Sequence, residues 1–160
     1  MMDDKENVAR LLKNLWLFDG ELSPAAFNLR PQIHESYISV LRESCDSFLK
    51  DVKVVTHGKC PVLYARLNVG ELRGLQVDSL EDDVCFDVKI VDNTFLSSHA
   101  GIFIYINSQQ IVGGEPLESY ELRHGVSADS VLLLIREVLS DYARNKLEEL
   151  LITPGNHNKV

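Results

Sequence analysis

The sequence lacks any long apolar run. No stretch of the 160 residues reaches the roughly 18 consecutive apolar side chains that a membrane-spanning helix needs. The chain starts with Met1, Met2, Asp3 and Asp4, whereas a secretory signal starts with basic residues. We therefore expect a soluble protein that has no membrane partner.

Cysteine is scarce, with only three residues at positions 45, 60 and 85 and no Cys-x-x-Cys pair. A sparse, odd set is typical of reduced thiols, which predicts a cytoplasmic location. A zinc site needs three or four closely spaced Cys or His ligands, and only His57 and Cys60 have such spacing. The glycines show no phosphate-loop or dinucleotide spacing, and the known catalytic motifs are missing. The sequence thus predicts no metal and no cofactor.

The chain has few basic residues: its 16 Lys and Arg and 24 Asp and Glu give a net charge of −8. Such a chain is repelled by nucleic acid, so we expect no nucleic-acid partner. Apolar residues make up 45% and charged residues 25% of the chain, as in ordinary globular proteins. We predict one domain over residues 1–155 and a flexible tail over 156–160.

Apolar periodicity predicts two helices with strands between them. A stripe at i, i+3 and i+4 spacing favours a helix over residues 3–16, and Ser127 is a good N-cap for a helix of some 24 residues. Strand composition marks residues 37–42, 53–56, 62–67, 84–91 and 101–107, and residues 113–126 have the composition of a loop. The fold class predicted is α+β, with a mainly antiparallel sheet packed by an N-terminal and a long C-terminal helix.

His99 is the first candidate for chemistry, because a polar loop over residues 93–98 runs here into the most apolar strand. Imidazole titrates near neutral pH and serves as a general base or a ligand. Ser97 lies two residues away and could share a face with it. The alternative is a structural histidine that hydrogen-bonds the loop backbone. The candidate catalytic set is His99 with Ser39 and Ser97.

The segment 35–42 is the second candidate. On a strand, Tyr37 and Ser39 share one face, and Arg42 at the strand end could bind an anion. Arg73 is a further candidate anion clamp, which makes Tyr37, Arg42 and Arg73 the candidate ligand-binding residues. The alternative is an edge strand with a hydrated polar face.

Four short segments occur in a recognisable order: Leu22-Ser-Pro-Ala-Ala-Phe27, Tyr37-Ile-Ser-Val-Leu-Arg42, Asn68-Val-Gly-Glu-Leu-Arg73 and Ser98-His-Ala-Gly-Ile102. Their order resembles small bacterial proteins that combine a Ser-x-x-x-Phe start, a Ser-Val strand and a later His-Ala motif. The resemblance covers about residues 15–106. It implies one shared framework that holds Phe27, Ser39, Arg73 and His99, and it implies no particular activity.

The leading functional interpretation is a cytosolic binding or accessory protein of a bacterial multi-gene system, with another protein as its partner. The alternative is a small hydrolase or transferase that uses His99 as general base, Ser39 or Ser97 as nucleophile or substrate contact, and Arg42 or Arg73 as anion clamp. The apolar C-terminal helix also allows a homodimer.

Overall fold

A computed structural model describes residues 2–29, 35–93, 95–113 and 115–151. The strands are β1 Asn7–Leu11, β2 Leu17–Phe18, β3 Glu21–Leu22, β4 Ile38–Arg42, β5 Val62–Asn68, β6 Val84–Ile90, β7 His99–Ile106, β8 Gln109–Gln110 and β9 Leu147–Leu150. The α-helices are α1 Phe48–Thr56, α2 Val69–Arg73, α3 Leu117–His124 and α4 Ala128–Ala143. Two 3₁₀ helices span Asn14–Trp16 and Pro24–Phe27.

The main sheet has seven strands in the order β6-β7-β4-β1-β5-β9, and β8 pairs with β7. Every pairing is antiparallel. Strands β2 and β3 form a separate small hairpin. The α+β class with a mainly antiparallel sheet and a long helix near the C-terminus is therefore confirmed.

The two faces of the sheet are covered unequally. Helix α4 packs with α3, with β5 and with the 3₁₀ turn Pro24–Phe27 around the larger core. This core includes Val8, Val40, Leu67, Phe86, Ile102, Ile104, Ile135 and Leu139. On the other face, α1 lays Phe48 and Val52 against Ala9, Leu41 and Tyr64. Helix α1 covers only part of this second face, and the candidate site lies beside it.

The predicted N-terminal helix is wrong, because residues 7–11 form the strand β1 between β4 and β5. Val8 and Ala9 are both fully buried, as expected for a strand covered on two faces. Such a strand carries consecutive apolar residues, which also match a helical stripe. Asp3 and Glu6 have the spacing of a helix capping box but form only a local turn, in which the Asp3 backbone N–H donates to Glu6 Oε2 at 3.0 Å.

Three other segments differ from the predictions. Residues 53–56 belong to α1 rather than to a strand, and α3 occupies part of the predicted loop 113–126. Helix α4 ends at Ala143, and residues 147–150 form β9 rather than more helix. The cap at Ser127 is confirmed, since its Oγ accepts from the Ser130 N–H at 3.2 Å. The predicted tail 156–160 lies outside the described residues.

Strands β4, β5, β6 and β7 confirm the predicted strands near residues 37–42, 62–67, 84–91 and 101–107. In the sheet, Ser39 pairs with Gly101 and Leu41 pairs with His99. Because paired residues point to the same face, the side chains of Ser39 and His99 lie on the second face together. This strand register places Ser39 and His99 next to each other in the candidate site.

Candidate functional site

An open cleft of about 380 Å³ lies on the second sheet face beside the end of α1. Its walls come from β1, β4, the start of β7, α1 and the segment that precedes β7. The lining residues are Ala9, Arg10, Leu11, Lys13, Trp16, Ser39, Val40, Leu41, Val55, Asn93, Leu96 and His99. A cleft of this size, mostly apolar with a few polar groups, is typical of ligand or side-chain binding.

His99 sits in the wall of the cleft with only 8% of its surface exposed. Its Nε2 atom lies 3.3 Å from Ser39 Oγ, and its Nδ1 atom lies 3.5 Å from Asn93 Nδ2. The structure thus brings together two of the three candidate catalytic residues. Asn93 completes a row of three polar side chains.

The orientation of the Asn93 amide fixes the proton on the His99 ring. Asn93 Oδ1 accepts the backbone N–H groups of Phe95 at 2.8 Å and Leu96 at 3.1 Å. The amide therefore presents Nδ2, a donor, to His99 Nδ1, which must accept. Burial lowers the pKa of His99, which favours the neutral ring, and a donor at Nδ1 favours the tautomer with the ring proton on Nε2. In this tautomer, His99 Nε2–H donates to Ser39 Oγ, and the Ser39 hydroxyl hydrogen is left for another acceptor.

Asp51 joins α1 to the turn that precedes His99. Its Oδ2 accepts from the Ser98 N–H at 2.9 Å, from Ser98 Oγ at 2.6 Å and from Ser47 Oγ at 3.0 Å. Burial raises the pKa of Asp51, but these hydrogen bonds outweigh burial and hold the pKa below 3.8. A buried carboxylate with three donors fixes two walls of the cleft relative to each other.

Tyr37 lies next to the cleft, on the surface of the sheet. Its ring makes an edge contact with the His99 ring, with the centroids 5.7 Å apart, and lies 5.3 Å from the ring of Phe103. The ring covers Gly101, where a Cβ atom would lie 2.6 Å from Tyr37 Cδ2. Gly101 is therefore needed for this position of Tyr37, which supports the His99 ring from one side.

The sequence analysis missed Arg10, Lys13 and Trp16. Arg10 donates from Nε to Ala26 O at 2.9 Å and from Nη1 to Ser39 O at 2.8 Å. The cationic groups of Arg10 and Lys13 lie 4.9 Å and 5.3 Å from the Trp16 ring centroid. A helix over residues 3–16 would place both cations off its apolar stripe and in solvent, whereas a strand over residues 7–11 places Arg10 beside β4.

Three candidate residues lie elsewhere. Ser97 is exposed and does not line the cleft. Arg42 pairs with Glu6 at 2.9 Å in a separate polar depression, because odd and even positions of β4 point to opposite faces.

Arg73 is used inside the fold. It donates to Asp87 at 2.8 Å, to Asp4 at 2.6 Å and to the Met2 carbonyl at 2.9 Å. These bonds attach the first residues of the chain to α2 and to the outer strand β6. Of the framework that the resemblance implies, Ser39 and His99 are in contact, while Phe27 is buried in the larger core and Arg73 serves this attachment.

Among the described residues, no group of three or more His, Cys, Asp or Glu side chains is placed to hold a metal ion. In the same ranges, no helix is both long and apolar enough to cross a membrane. Comparison of the chain with family models, with curated proteins and with solved structures finds no match in any of the three. Function therefore has to be argued from the cleft itself.

Proposed function

We propose that this chain is a non-catalytic binding protein whose cleft beside His99 accepts an apolar side chain of a partner protein. The observation that carries the proposal is the exposure of large apolar side chains on the segments that line the cleft. Leu15 is 89% exposed, Phe18 79% and Phe95 84%, and each lies within two residues of a lining residue. Exposed apolar groups around a pocket are typical of protein interfaces, where an anchor side chain enters the pocket.

The position of the proton on the His99 ring supports a binding function rather than a catalytic one. A general base toward Ser39 would need a free lone pair on Nε2, but the Asn93 amide directs the proton to that atom. The Ser39 hydroxyl is then a hydrogen-bond donor for a ligand rather than an activated nucleophile. His99 and Asn93 act as the support that holds it.

The proposal includes the setting, which is an accessory role in the cytoplasm of a bacterium, within a multi-gene system. The three cysteines are free thiols, and Cys60 and Cys85 are exposed, as expected where thiols stay reduced. The order of the short motifs, which is similar to that of small bacterial proteins, supports the rest of the setting.

A photo-crosslinking experiment tests the proposal. The crosslinking amino acid p-benzoylphenylalanine replaces Phe95 or, as a matched control, Leu122, an exposed residue of α3. We expect a defined adduct with a protein encoded nearby from position 95 and none from position 122. The adduct should be lost when Val55 in the cleft wall is changed to Glu, and should persist in His99→Ala. Equal crosslinking from both positions, or no adduct at 95, would refute the proposal.

The alternative is a hydrolase or transferase, and the 3.3 Å contact between Ser39 and His99 is the observation in its favour. A fluorophosphonate probe, which labels activated serines, distinguishes the two functions. We expect no labelling of Ser39 in the native protein. Labelling that disappears in Ser39→Ala would establish the catalytic function instead.

A further inference from the structure

We propose, building on the proposed function, that the partner segment bound in this cleft is acidic as well as apolar. The chain has 24 acidic residues and a net charge of −8. None of the described residues that line the cleft is Asp or Glu, whereas Arg10 and Lys13 are cationic. The described lining thus carries cationic side chains and no carboxylate on an otherwise acidic protein, and such a lining favours a negatively charged segment.

The cations of the cleft differ in their roles. Arg10 is fixed by the carbonyl groups of Ala26 and Ser39, so its guanidinium acts as a positioned charge in the wall. Lys13 is exposed and lies beside the Trp16 ring, and no carboxylate within the described ranges pairs with it. Five arginines outside the cleft differ from Lys13 in having Asp or Glu partners: Arg42, Arg66, Arg73, Arg123 and Arg144.

The polar side chains that the cleft offers to a ligand are donors. Lys13 carries three N–H donors, and the Ser39 hydroxyl has its hydrogen available because its oxygen already accepts from His99. The Asn93 amide is occupied by His99 and by the loop backbone. A carboxylate matches these donors and the positive charge, and the apolar wall of Val40, Leu41, Val55 and Leu96 takes the neighbouring apolar side chain.

Selection from a random 12-residue peptide library tests the inference and the proposed function separately. Peptides are selected on the native protein and then depleted on the Val55→Gln variant, which blocks the apolar wall without adding charge, so that only cleft-dependent peptides remain. A pool rich in aromatic or aliphatic anchors with an excess of Asp and Glu supports both proposals. A pool with such anchors but no acidic excess retains the proposed function and overturns this inference. An absence of any cleft-dependent pool overturns both.

Charge reversal on one selected acidic peptide gives a quantitative test. Lys13→Glu should weaken its binding roughly 3- to 20-fold, because an exposed attraction becomes a repulsion of similar size. Lys5→Glu is the matched control, since it changes the net charge equally but lies outside the cleft lining. An equal loss in both variants, or a Lys13 effect that is unchanged by added salt, would overturn the inference.

Discussion

At the scale of single residues, the hydrogen bonds of His99 bear most directly on function. The neighbouring amide at Asn93 can only donate through Nδ2, because its oxygen holds the loop backbone. A protonated ring would bring two donors face to face. Either the amide would rotate and release Phe95 and Leu96, or the ring would stay neutral.

We predict that His99 is an Nε2–H tautomer with a pKa below 6.5, measured by long-range ¹H–¹⁵N NMR titration. Since the folded pKa is below the unfolded value, the unfolded state binds the proton more readily. The free energy of unfolding therefore falls as the pH drops from 6.5 toward the folded pKa. Asn93→Asp is the informative variant, because a carboxylate accepts from Nδ1–H and should raise the pKa. An Nδ1–H tautomer in the native protein would contradict the prediction.

Gly101 should tolerate no side chain while Tyr37 is present. A Cβ atom at position 101 would overlap the Tyr37 ring, so Gly101→Ala should lower the free energy of unfolding by about 1–3 kcal/mol, measured by urea denaturation. The same change in a Tyr37→Gly background should cost much less, since Tyr37 Cδ2, Cγ and Cβ, which would lie 2.6, 2.8 and 2.9 Å from the new Cβ, are all removed. Equal costs in the two backgrounds would show that the ring does not set the constraint.

At the scale of elements, Asp51 connects α1 to the turn that carries His99, and both form walls of the cleft. Asp51→Asn removes the charge that strengthens the three hydrogen bonds donated to Oδ2 by Ser98 and Ser47. We expect a loss of roughly 1–3 kcal/mol in the free energy of unfolding at pH 7. Asp46→Asn, at an exposed position shortly before α1, is the control and should change stability by less than about 0.5 kcal/mol.

The pH dependence of this loss is a second check. The pKa of Asp51 is lower in the folded state than its ordinary 3.8. Its contribution is therefore fully present above pH 3.8 and is lost as the pH falls through the folded pKa. The stability difference between native protein and Asp51→Asn should shrink over that range, and a constant difference would refute the role of the charge.

The sequence predicted helices and strands correctly where the residue pattern fits only one type of element. Strand β6 alternates buried and exposed positions, and Ser127 caps α4 as its side chain suggests. The prediction was wrong where the apolar pattern fits both a helix and a strand. The apolar residues of β1 fit a helix or a doubly covered strand, and the Leu and Glu residues of β9 continued the helical stripe of α4. Pairing with β5, a contact distant in sequence, decides both cases.

At the scale of the whole molecule, α4 bears on the predicted homodimer. Val131, Leu132, Ile135 and Leu139 of α4 are buried within the chain, and Leu133 is its one large apolar side chain that is exposed. We therefore expect a monomer of 18.0 kDa in light scattering after size-exclusion chromatography. A dimer that Leu133→Glu dissociates would restore association through α4.

The sequence by itself determined the α+β class and strands β4, β5, β6 and β7, and it gave His99 and Ser39 as candidates, because periodicity and local composition are properties of neighbouring residues. The tertiary structure alone decided that β1 is a strand, that Arg42 and Arg73 serve other ion pairs, and that Arg10, Lys13 and Trp16 join the cleft. Most of these outcomes depend on contacts between segments distant in sequence, such as Arg10 with Ser39, which lie 29 residues apart, and β4 with β7. No local pattern of side chains carries that information.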